Sequence, residues 1–287
     1  MNFRCGFVAL LGRPNVGKSS LCNRLVGEDV AIVTAKPQTT RHRIIGIATN
    51  ERAQLILVDT PGIHETNKPL NQAMVETARV AGADADCICL VSDAREWGAE
   101  ERALLAAVRS ADPIIVRNKS DLLTSGAVTT PSDLQGLPIH LVSATSGDGL
   151  DALRAALEAR VPEGPALYDA ALYTERPVRF LAAELVRKAA FELLHEEIPY
   201  GLAVEIESFK EEGRLTRIHA LLIVDRESHK RIVVGQHGQM IRAIGTAARP
   251  PIEQLVGGQV YLELFVKVKP GWTKDLAELR RMGLKTT

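Results

Sequence analysis

A run of eight residues near the start of the chain has the composition of a phosphate-binding loop. It follows the apolar segment 7–11 and consists of Gly12, Arg13, Pro14, Asn15, Val16, Gly17, Lys18 and Ser19, with Ser20 next. Glycines allow backbone N–H groups to approach phosphate oxygens, and the Lys18 ammonium can bind the β- and γ-phosphates. Ser19 is then placed to ligate magnesium. The run predicts a nucleoside triphosphate site rather than an ordinary glycine turn.

A second motif, at a later strand end, supplies a carboxylate and a backbone N–H. Asp59, Thr60, Pro61 and Gly62 follow the apolar run 55–58. Asp59 can hold the magnesium through water, and the N–H of Gly62 can meet the γ-phosphate. The next residue is Ile63, whose apolar side chain cannot orient an attacking water. We therefore expect slow hydrolysis by the isolated protein.

A third motif selects the base. Asn118, Lys119, Ser120 and Asp121 follow the apolar run 114–116. Asp121 can accept two hydrogen bonds from guanine that adenine does not offer, which permits discrimination of about 10⁴. Lys119 would lay its stem along the base, Asn118 would tie this loop to the phosphate loop, and the backbone of Ser143 and Ala144 would complete the pocket. This motif favours GTP over ATP and argues against the alternative of a P-loop kinase acting on a small molecule.

The order and spacing of these motifs are similar to those of the translation-factor-related GTPases, and the surrounding sequence resembles the Era family. Residues 36–42, Lys-Pro-Gln-Thr-Thr-Arg-His, resemble the first switch of that family, in which a threonine contacts magnesium in the GTP state. The resemblance implies Thr40 for that role, with Thr39 as the alternative, and it implies Lys18, Thr40 and Gly62 as the catalytic set. A threonine pair leading into a strand at 43–48 is the plain structural reading. Asn15 matches an asparagine associated with potassium-stimulated hydrolysis in related GTPases, which implies a K⁺ site.

A fourth motif lies in the C-terminal part of the chain. Gly235, Gln236, His237 and Gly238 form a GxxG loop between an apolar run and an amphipathic helix, as in KH domains, whose loop clamps single-stranded nucleic acid. Era loops commonly carry a lysine between the glycines, which this chain lacks. The backbone amides and the helix start can still receive a phosphate, with Lys230, Arg231 and Arg242 as nearby charges. The alternative is a loop that only caps a helix.

The pattern of elements predicts two domains. Short apolar runs alternate with helical segments up to about residue 160, which favours a mostly parallel sheet wrapped by helices. Beyond a Pro-rich segment, a helix at 178–195, two strands, a second helical part and a strand at 259–267 indicate an α+β unit. We expect a three-layer α/β P-loop GTPase domain at 1–163, a linker at 164–176 and a type II KH domain at 177–287.

Composition sets few further limits. The 287 residues are 24% charged with a net charge of zero, but residues 1–175 carry 17 basic and 21 acidic side chains and the remainder 18 and 14. Four cysteines in apolar surroundings predict reduced core residues. The absence of a long apolar stretch and of a signal-peptide pattern predicts a cytoplasmic protein. A peripheral membrane module is the competing class, although the helix at 178–195 has a mixed-charge face.

The resemblance to the Era family extends over residues 5–283. It implies a GTP-binding and GTP-hydrolysing switch that uses GTP, GDP and Mg²⁺, binds the 3′ end region of 16S ribosomal RNA through the KH domain and acts in 30S subunit assembly. It also implies a monomer that is cytoplasmic, with peripheral association at the inner membrane as a further possibility. The residues alone indicate a GTPase joined to a single-stranded RNA module.

Overall fold

The computed structural model describes residues 2–36, 39, 41–59, 84–124 and 130–282. The chain forms two compact units, Met1–Ala31 with Arg43–Glu175, and Ile32–His42 with Arg176–Thr287, as far as the described residues extend. A compact unit is defined by contacts and need not coincide with a folding domain. The boundaries at 163 and 177 therefore remain predictions.

The first unit is built on a six-stranded sheet. Its strands are β1 (Arg4–Leu11), β2 (Ile44–Thr49), β3 (Ala53–Asp59), β4 (Cys87–Asp93), β5 (Ile114–Asn118) and β6 (Ile139–Leu141). They lie in the order β2-β3-β1-β4-β5-β6, and of the described pairs in this sheet only β2–β3 is antiparallel. The helices are α1 (Lys18–Val26), α2 (Ala99–Val108) and α3 (Leu150–Arg160). This confirms the predicted α/β class with a mostly parallel sheet.

The central strands show why this sheet forms. All seven residues of β3 and all seven of β4 are buried, as expected for parallel strands covered on both faces. Side chains from β1, β4, β5 and α2 share one apolar core. Because parallel strands end at the same edge, the loops after β1, β3, β4, β5 and β6 converge there. The four cysteines are free and buried, as predicted.

The second unit has the α-β-β-α-α-β order predicted for a type II KH domain. It contains α4 (Val178–Leu193), β7 (Ala203–Glu212), β8 (Leu215–Val224), α5 (Glu227–Val234), α6 (Gln239–Val256), β9 (Gln259–Val268) and a final short helix α7 (Leu276–Arg281). Strands β7 and β8 pair antiparallel, and β8 and β9 pair parallel. Helices α4 and α6 bury apolar side chains such as Val186 and Ile244 against this sheet, which contributes Ile218 and Leu222.

The elements differ from the sequence-based expectations mainly in their lengths. Helix α4 ends at Leu193 rather than at His195, and β7 and β8 form a long hairpin around Gly213. Residues 164–175 belong to the first unit, in which the Gln54 side chain forms hydrogen bonds with the backbone of Leu167 and Tyr168. Within the described ranges, no helix is both long and apolar enough to cross a membrane.

Candidate functional site

The glycines of the phosphate-binding loop are required by close backbone approaches. Gly12 has φ 152°, and a Cβ there would lie 2.2 Å from the carbonyl oxygen of Val91. Gly17 has φ 94°, and a Cβ there would lie 2.3 Å from the Asn118 side-chain nitrogen. Asn15 is exposed and left-handed, with φ 62°. The loop therefore has the shape that the motif predicts.

Lys18, Ser19 and Asp59 lie together beneath this loop. The Lys18 ammonium donates to the carbonyl oxygens of Gly12 and Arg13, each at 2.9 Å, and burial lowers its pKa. The Ser19 hydroxyl donates to Asp59 Oδ2 at 2.5 Å. Burial raises the pKa of Asp59, opposed by the Lys18 charge and the Ser19 hydrogen bond.

The donor set fits a magnesium ion. Asp59 is fully buried, and its Oδ1 finds no hydrogen-bond partner among the described residues. A buried carboxylate oxygen without a partner is costly unless a ligand completes it. Magnesium prefers hard oxygen ligands such as a hydroxyl and a carboxylate. Ser19 and Asp59 thus offer what the predicted ion requires.

Arg13 connects the phosphate loop to helix α2. Its guanidinium lies 2.5 Å from Glu100, 3.1 Å from Glu101 and 3.5 Å from Glu96. Glu101 is buried and also accepts a hydrogen bond from the N–H of Gly98 at the start of α2. The sequence placed Arg13 in the loop but gave no indication of these partners.

Asn118 joins three loops at the base-binding end. Its side-chain nitrogen donates to the Val16 carbonyl at 2.9 Å, and its side-chain oxygen accepts from the Ala144 N–H at 3.0 Å. The residue is 1% exposed. The phosphate loop, the Asn118–Asp121 motif and the Ser143–Ala144 segment are therefore fixed relative to each other by one amide.

Asp121 and Lys119 border the same pocket. The buried Ser143 hydroxyl donates to Asp121 Oδ1 at 2.5 Å, and it accepts from the N–H groups of Thr145 and Ser146. Asp121 is itself exposed, with carboxylate capacity left for a base. Lys119 is left-handed, with φ 66°, and its ammonium lies 3.1 Å from Asp93.

Arg24 contacts the base pocket although no motif includes it. From α1 it donates to the carbonyls of Ala144 and Thr145, both at 2.8 Å. These contacts hold the backbone of the segment predicted to meet the guanine. Because the partners are about 120 residues apart in sequence, no local signal could have revealed the pairing.

The predicted switch residues are described only in part. Thr40 and the residues Thr60, Pro61, Gly62 and Ile63 lie outside the described residues, and Ser20 lies in the first turn of α1. Thr39 is buried, and its hydroxyl lies 2.7 Å from that of Thr34 and donates to the Lys36 carbonyl at 2.8 Å. The hydroxyl of Thr39, the alternative magnesium ligand, is thus hydrogen-bonded within residues 34–39.

Residues 32–42 belong to the second unit, which the sequence did not predict. Arg41 donates to the carbonyls of Pro199, Tyr200 and Leu202, and burial lowers its pKa to about 9. Arg187, paired with Glu184, donates to the Thr39 carbonyl at 2.6 Å. Three carbonyls around one guanidinium hold this segment in place.

The GxxG loop is shaped by its glycines and by the start of α6. Gly235 has φ 73° and ψ 172°, and a Cβ there would lie 2.7 Å from the Cβ of Met240. Gly238 has φ 77° and directly precedes α6, and a Cβ added there would meet no atom within 4 Å among the described residues. Gln236 and His237 are exposed. Lys230 and Arg231 lie on α5, and Arg242 lies in the first turn of α6.

Comparison with known families covers both units. A family of 50S ribosome-binding GTPases matches residues 7–119, and the KH domain family matches residues 197–273. GTPase Era of Pseudomonas aeruginosa is 42% identical over 98% of this chain and 95% of the relative. GTPase Era of Azotobacter vinelandii is 41% identical over 99% and 98%.

The chain belongs to the Era family of GTPases. Its GTPase and KH architecture and its GTP-hydrolysing activity are thereby established, and the kinase alternative is excluded. An Era point variant from Aquifex aeolicus, solved with GDP and AlF4⁻, superposes with a TM-score of 0.90 at 36% identity, covering 99% of this chain and all of that one. An Era structure with MgGDPNP and nucleotides 1506–1542 of 16S ribosomal RNA superposes at 0.87 and 35%, with 99% and 100% covered.

Proposed function

We propose that this Era-family GTPase is a guanine-nucleotide switch that grips the 3′ region of 16S ribosomal RNA through its KH loop and acts in 30S subunit assembly. The observation that carries the nucleotide half is the Asn118 amide, which bonds to Val16 and Ala144. These two bonds support a single pocket bordered by the phosphate-binding loop and both base-reading segments.

Each predicted residue has a role within that space. The backbone N–H groups of residues 12–17, apart from Pro14, and the Lys18 ammonium bind the phosphates of GTP. Asp121 accepts from guanine, while Lys119 packs along the base and Ala144 offers its backbone. Ser19, Asp59 and Thr40 hold Mg²⁺, which neutralises charge between the β- and γ-phosphates. The N–H of Gly62, beside Thr60 and Pro61, meets the γ-phosphate.

Hydrolysis needs help from outside the residues named so far. Ile63 cannot position water, so we expect a slow intrinsic rate that rises with a monovalent cation or a macromolecular partner. Asn15 is exposed in the phosphate loop and is the residue we assign to K⁺. Steady-state rates in KCl and NaCl at equal ionic strength test this. Stimulation by KCl that disappears in Asn15→Ala supports the site, and equal rates remove it.

The RNA half of the proposal rests on the KH loop and on one relative. The relative solved with nucleotides 1506–1542 of 16S ribosomal RNA covers nearly this whole chain. In this chain, Gly235 and Gly238 open the backbone ahead of an 18-residue helix whose free N–H groups can bind a phosphate. Positive charge comes from Lys230, Arg231 and Arg242. The exposed side chains of Gln236 and His237 would lie beside the bound RNA.

A pair of substitutions at Gly238 tests the RNA clamp. Gly238→Asp and Gly238→Asn fit the same open space and tolerate the same left-handed backbone, so they differ mainly in charge. With a single-stranded oligonucleotide matching the 3′ end of 16S ribosomal RNA, we expect binding to fall at least about tenfold in the Asp variant relative to the Asn variant. Equal affinities in both variants would refute the clamp.

Crosslinking in cells tests partner and process together. Reads concentrated at the 3′ end of 16S ribosomal RNA, on particles that sediment as 30S precursors, support the assembly role. Reads spread over unrelated transcripts contradict it. We place the protein in the cytoplasm as a monomer, and liposome flotation in the absence of RNA distinguishes this from peripheral membrane association.

A further inference from the structure

A carboxylate outside every nucleotide motif lies beside the base-reading loop. Asp93 is the last residue of β4, and in the sheet it pairs with Asn118, the last residue of β5. Both strands therefore end at the edge where the guanine pocket is predicted. Asp93 Oδ2 lies 3.1 Å from the Lys119 ammonium.

The Asp93 carboxylate is itself oriented. Arg95 donates through Nε to Oδ1 at 2.9 Å and through Nη2 to Oδ2 at 2.7 Å, and its backbone N–H also donates to Oδ1. This fork holds the plane of the carboxylate. The Arg95 hydrogen bonds, with help from Lys119, lower the pKa of Asp93 well below its usual range, so the group stays ionised.

The backbone around Asp93 is bonded to the same loop. The Ala94 N–H donates to the Asn118 carbonyl at 2.6 Å, and Arg117 donates to the Ala94 carbonyl at 2.6 Å. Asp93 and Asn118 are both buried, whereas the Lys119 side chain is 29% exposed. The buried Asp93 carboxylate thus contacts the far end of a partly exposed lysine side chain.

We propose that Asp93 is a positioning residue of the guanine pocket, holding the Lys119 ammonium so that the Lys119 stem lies along the base. This inference rests on the proposed role of Lys119. A long lysine side chain loses much rotamer freedom when it packs against a ligand, and a fixed counter-charge lowers that cost before binding. Loss of Asp93 then speeds nucleotide release without touching the phosphates.

A double-mutant cycle tests this directly. Release of a fluorescent GDP analogue is measured for the wild-type chain, Asp93→Ala, Lys119→Ala and the double variant, with a GTP analogue run in parallel. We expect Asp93→Ala to speed release about tenfold for both nucleotides, because the base end is common to them. In the Lys119→Ala background the same change should have little further effect. Additive effects would overturn the proposal.

Two more variants separate positioning from general support. Arg95→Ala removes the other partner of Asp93 while leaving the contact with Lys119, and we expect a clearly smaller change in release than in Asp93→Ala. Asp93→Glu keeps a charge within reach and should restore part of the affinity. If Arg95→Ala matches Asp93→Ala, or if the unfolding midpoint of the nucleotide-free protein falls in parallel with affinity, the effect is structural and the proposal fails.

The outcomes also distinguish this inference from the proposed function. If Lys119→Ala leaves GDP release unchanged, the assignment of the guanine pocket is wrong. If Lys119→Ala speeds release and Asp93→Ala does not, the pocket stands and the role of Asp93 alone is rejected.

Discussion

The guanine pocket is held together mainly by side-chain hydrogen bonds, whereas the GxxG loop is shaped mainly by its backbone. In the pocket, side chains bond to each other and to distant backbone, as Asn118 does to Val16 and Ala144. In the loop, the bond closing the turn runs from the Gly238 N–H to the Gly235 carbonyl, and the structure gives Gln236 and His237 no side-chain hydrogen bond within its described ranges. A site made of side chains depends on residue identity, whereas one made of backbone depends on conformation.

That difference predicts that the two sites will tolerate substitution differently. The pocket is predicted to read one base, and its polar side chains Asn118, Asp121 and Lys119 each contact a named partner. The loop lacks the lysine common in Era loops yet keeps both glycines. At Gly235 a Cβ would meet Met240, and at Gly238 the backbone is left-handed. Substitutions in each region test this difference.

The largest effect is expected at Asp121. Asp121→Asn keeps one acceptor for the guanine N1–H but puts an amide donor against the guanine 2-amino group, which is also a donor, so GDP affinity should fall about 10³-fold. Xanthosine diphosphate offers an acceptor at that position and should bind the variant better than the wild type. Competitive displacement of a fluorescent nucleotide measures both. A variant that keeps wild-type GDP affinity would show that the pocket is not read by side chains.

A conformational change in the loop should have the next largest effect. Gly235→Ala places a Cβ against Met240 and forces a residue with a side chain into a backbone region that glycine alone adopts easily. RNA affinity should fall at least about tenfold, while GDP affinity stays unchanged. Filter binding and nucleotide displacement on the same preparation provide the two readings. Undiminished RNA binding would mean that the loop does not act through its backbone.

Arg24 should show an intermediate effect on the nucleotide. Arg24→Ala removes two hydrogen bonds that hold the carbonyls of Ala144 and Thr145, so GDP release should speed up about five- to tenfold. Arg24→Lys keeps a charged donor, so its GDP release rate should lie between those of the wild type and Arg24→Ala. Stopped-flow release rates test the ranking, and equal rates in all three proteins would show that the segment needs no support from α1.

The smallest effects are expected from the side chains inside the GxxG loop. Gln236→Ala and His237→Ala should each change RNA affinity by no more than about twofold, because neither side chain shapes the loop. Gln236→Lys should instead strengthen binding and steepen its salt dependence by about one phosphate contact. A tenfold loss in either alanine variant would place recognition in the side chains and reverse the comparison.

The sequence predicted the residues that follow a local pattern, but not the contacts between residues far apart in the chain. Asp59, Asn118 and Asp121 were located because each follows an apolar strand, and parallel strands end at one edge. The KH order of elements followed from the helix and strand pattern. Contacts that depend on distant residues, such as Arg24 with Ala144 or Asp93 with Lys119, leave no trace in local spacing.

Two further features of the fold could not be predicted from local sequence. Helix α6 continues through Pro250 and Pro251, which local propensity would read as its end, because apolar residues on either side pack into the KH core. Residues 32–42 group with the C-terminal unit through Arg41 and Arg187, whose partners lie about 150 residues away. Both features are set by tertiary packing rather than by propensity.

A calorimetric titration of the wild-type chain with GDP and with ADP, at the same magnesium concentration, measures the guanine preference directly. A pocket closed by Asn118, Asp121, Ser143 and Ala144 predicts a preference for GDP of at least about 10³-fold. Comparable affinities for the two nucleotides would contradict it.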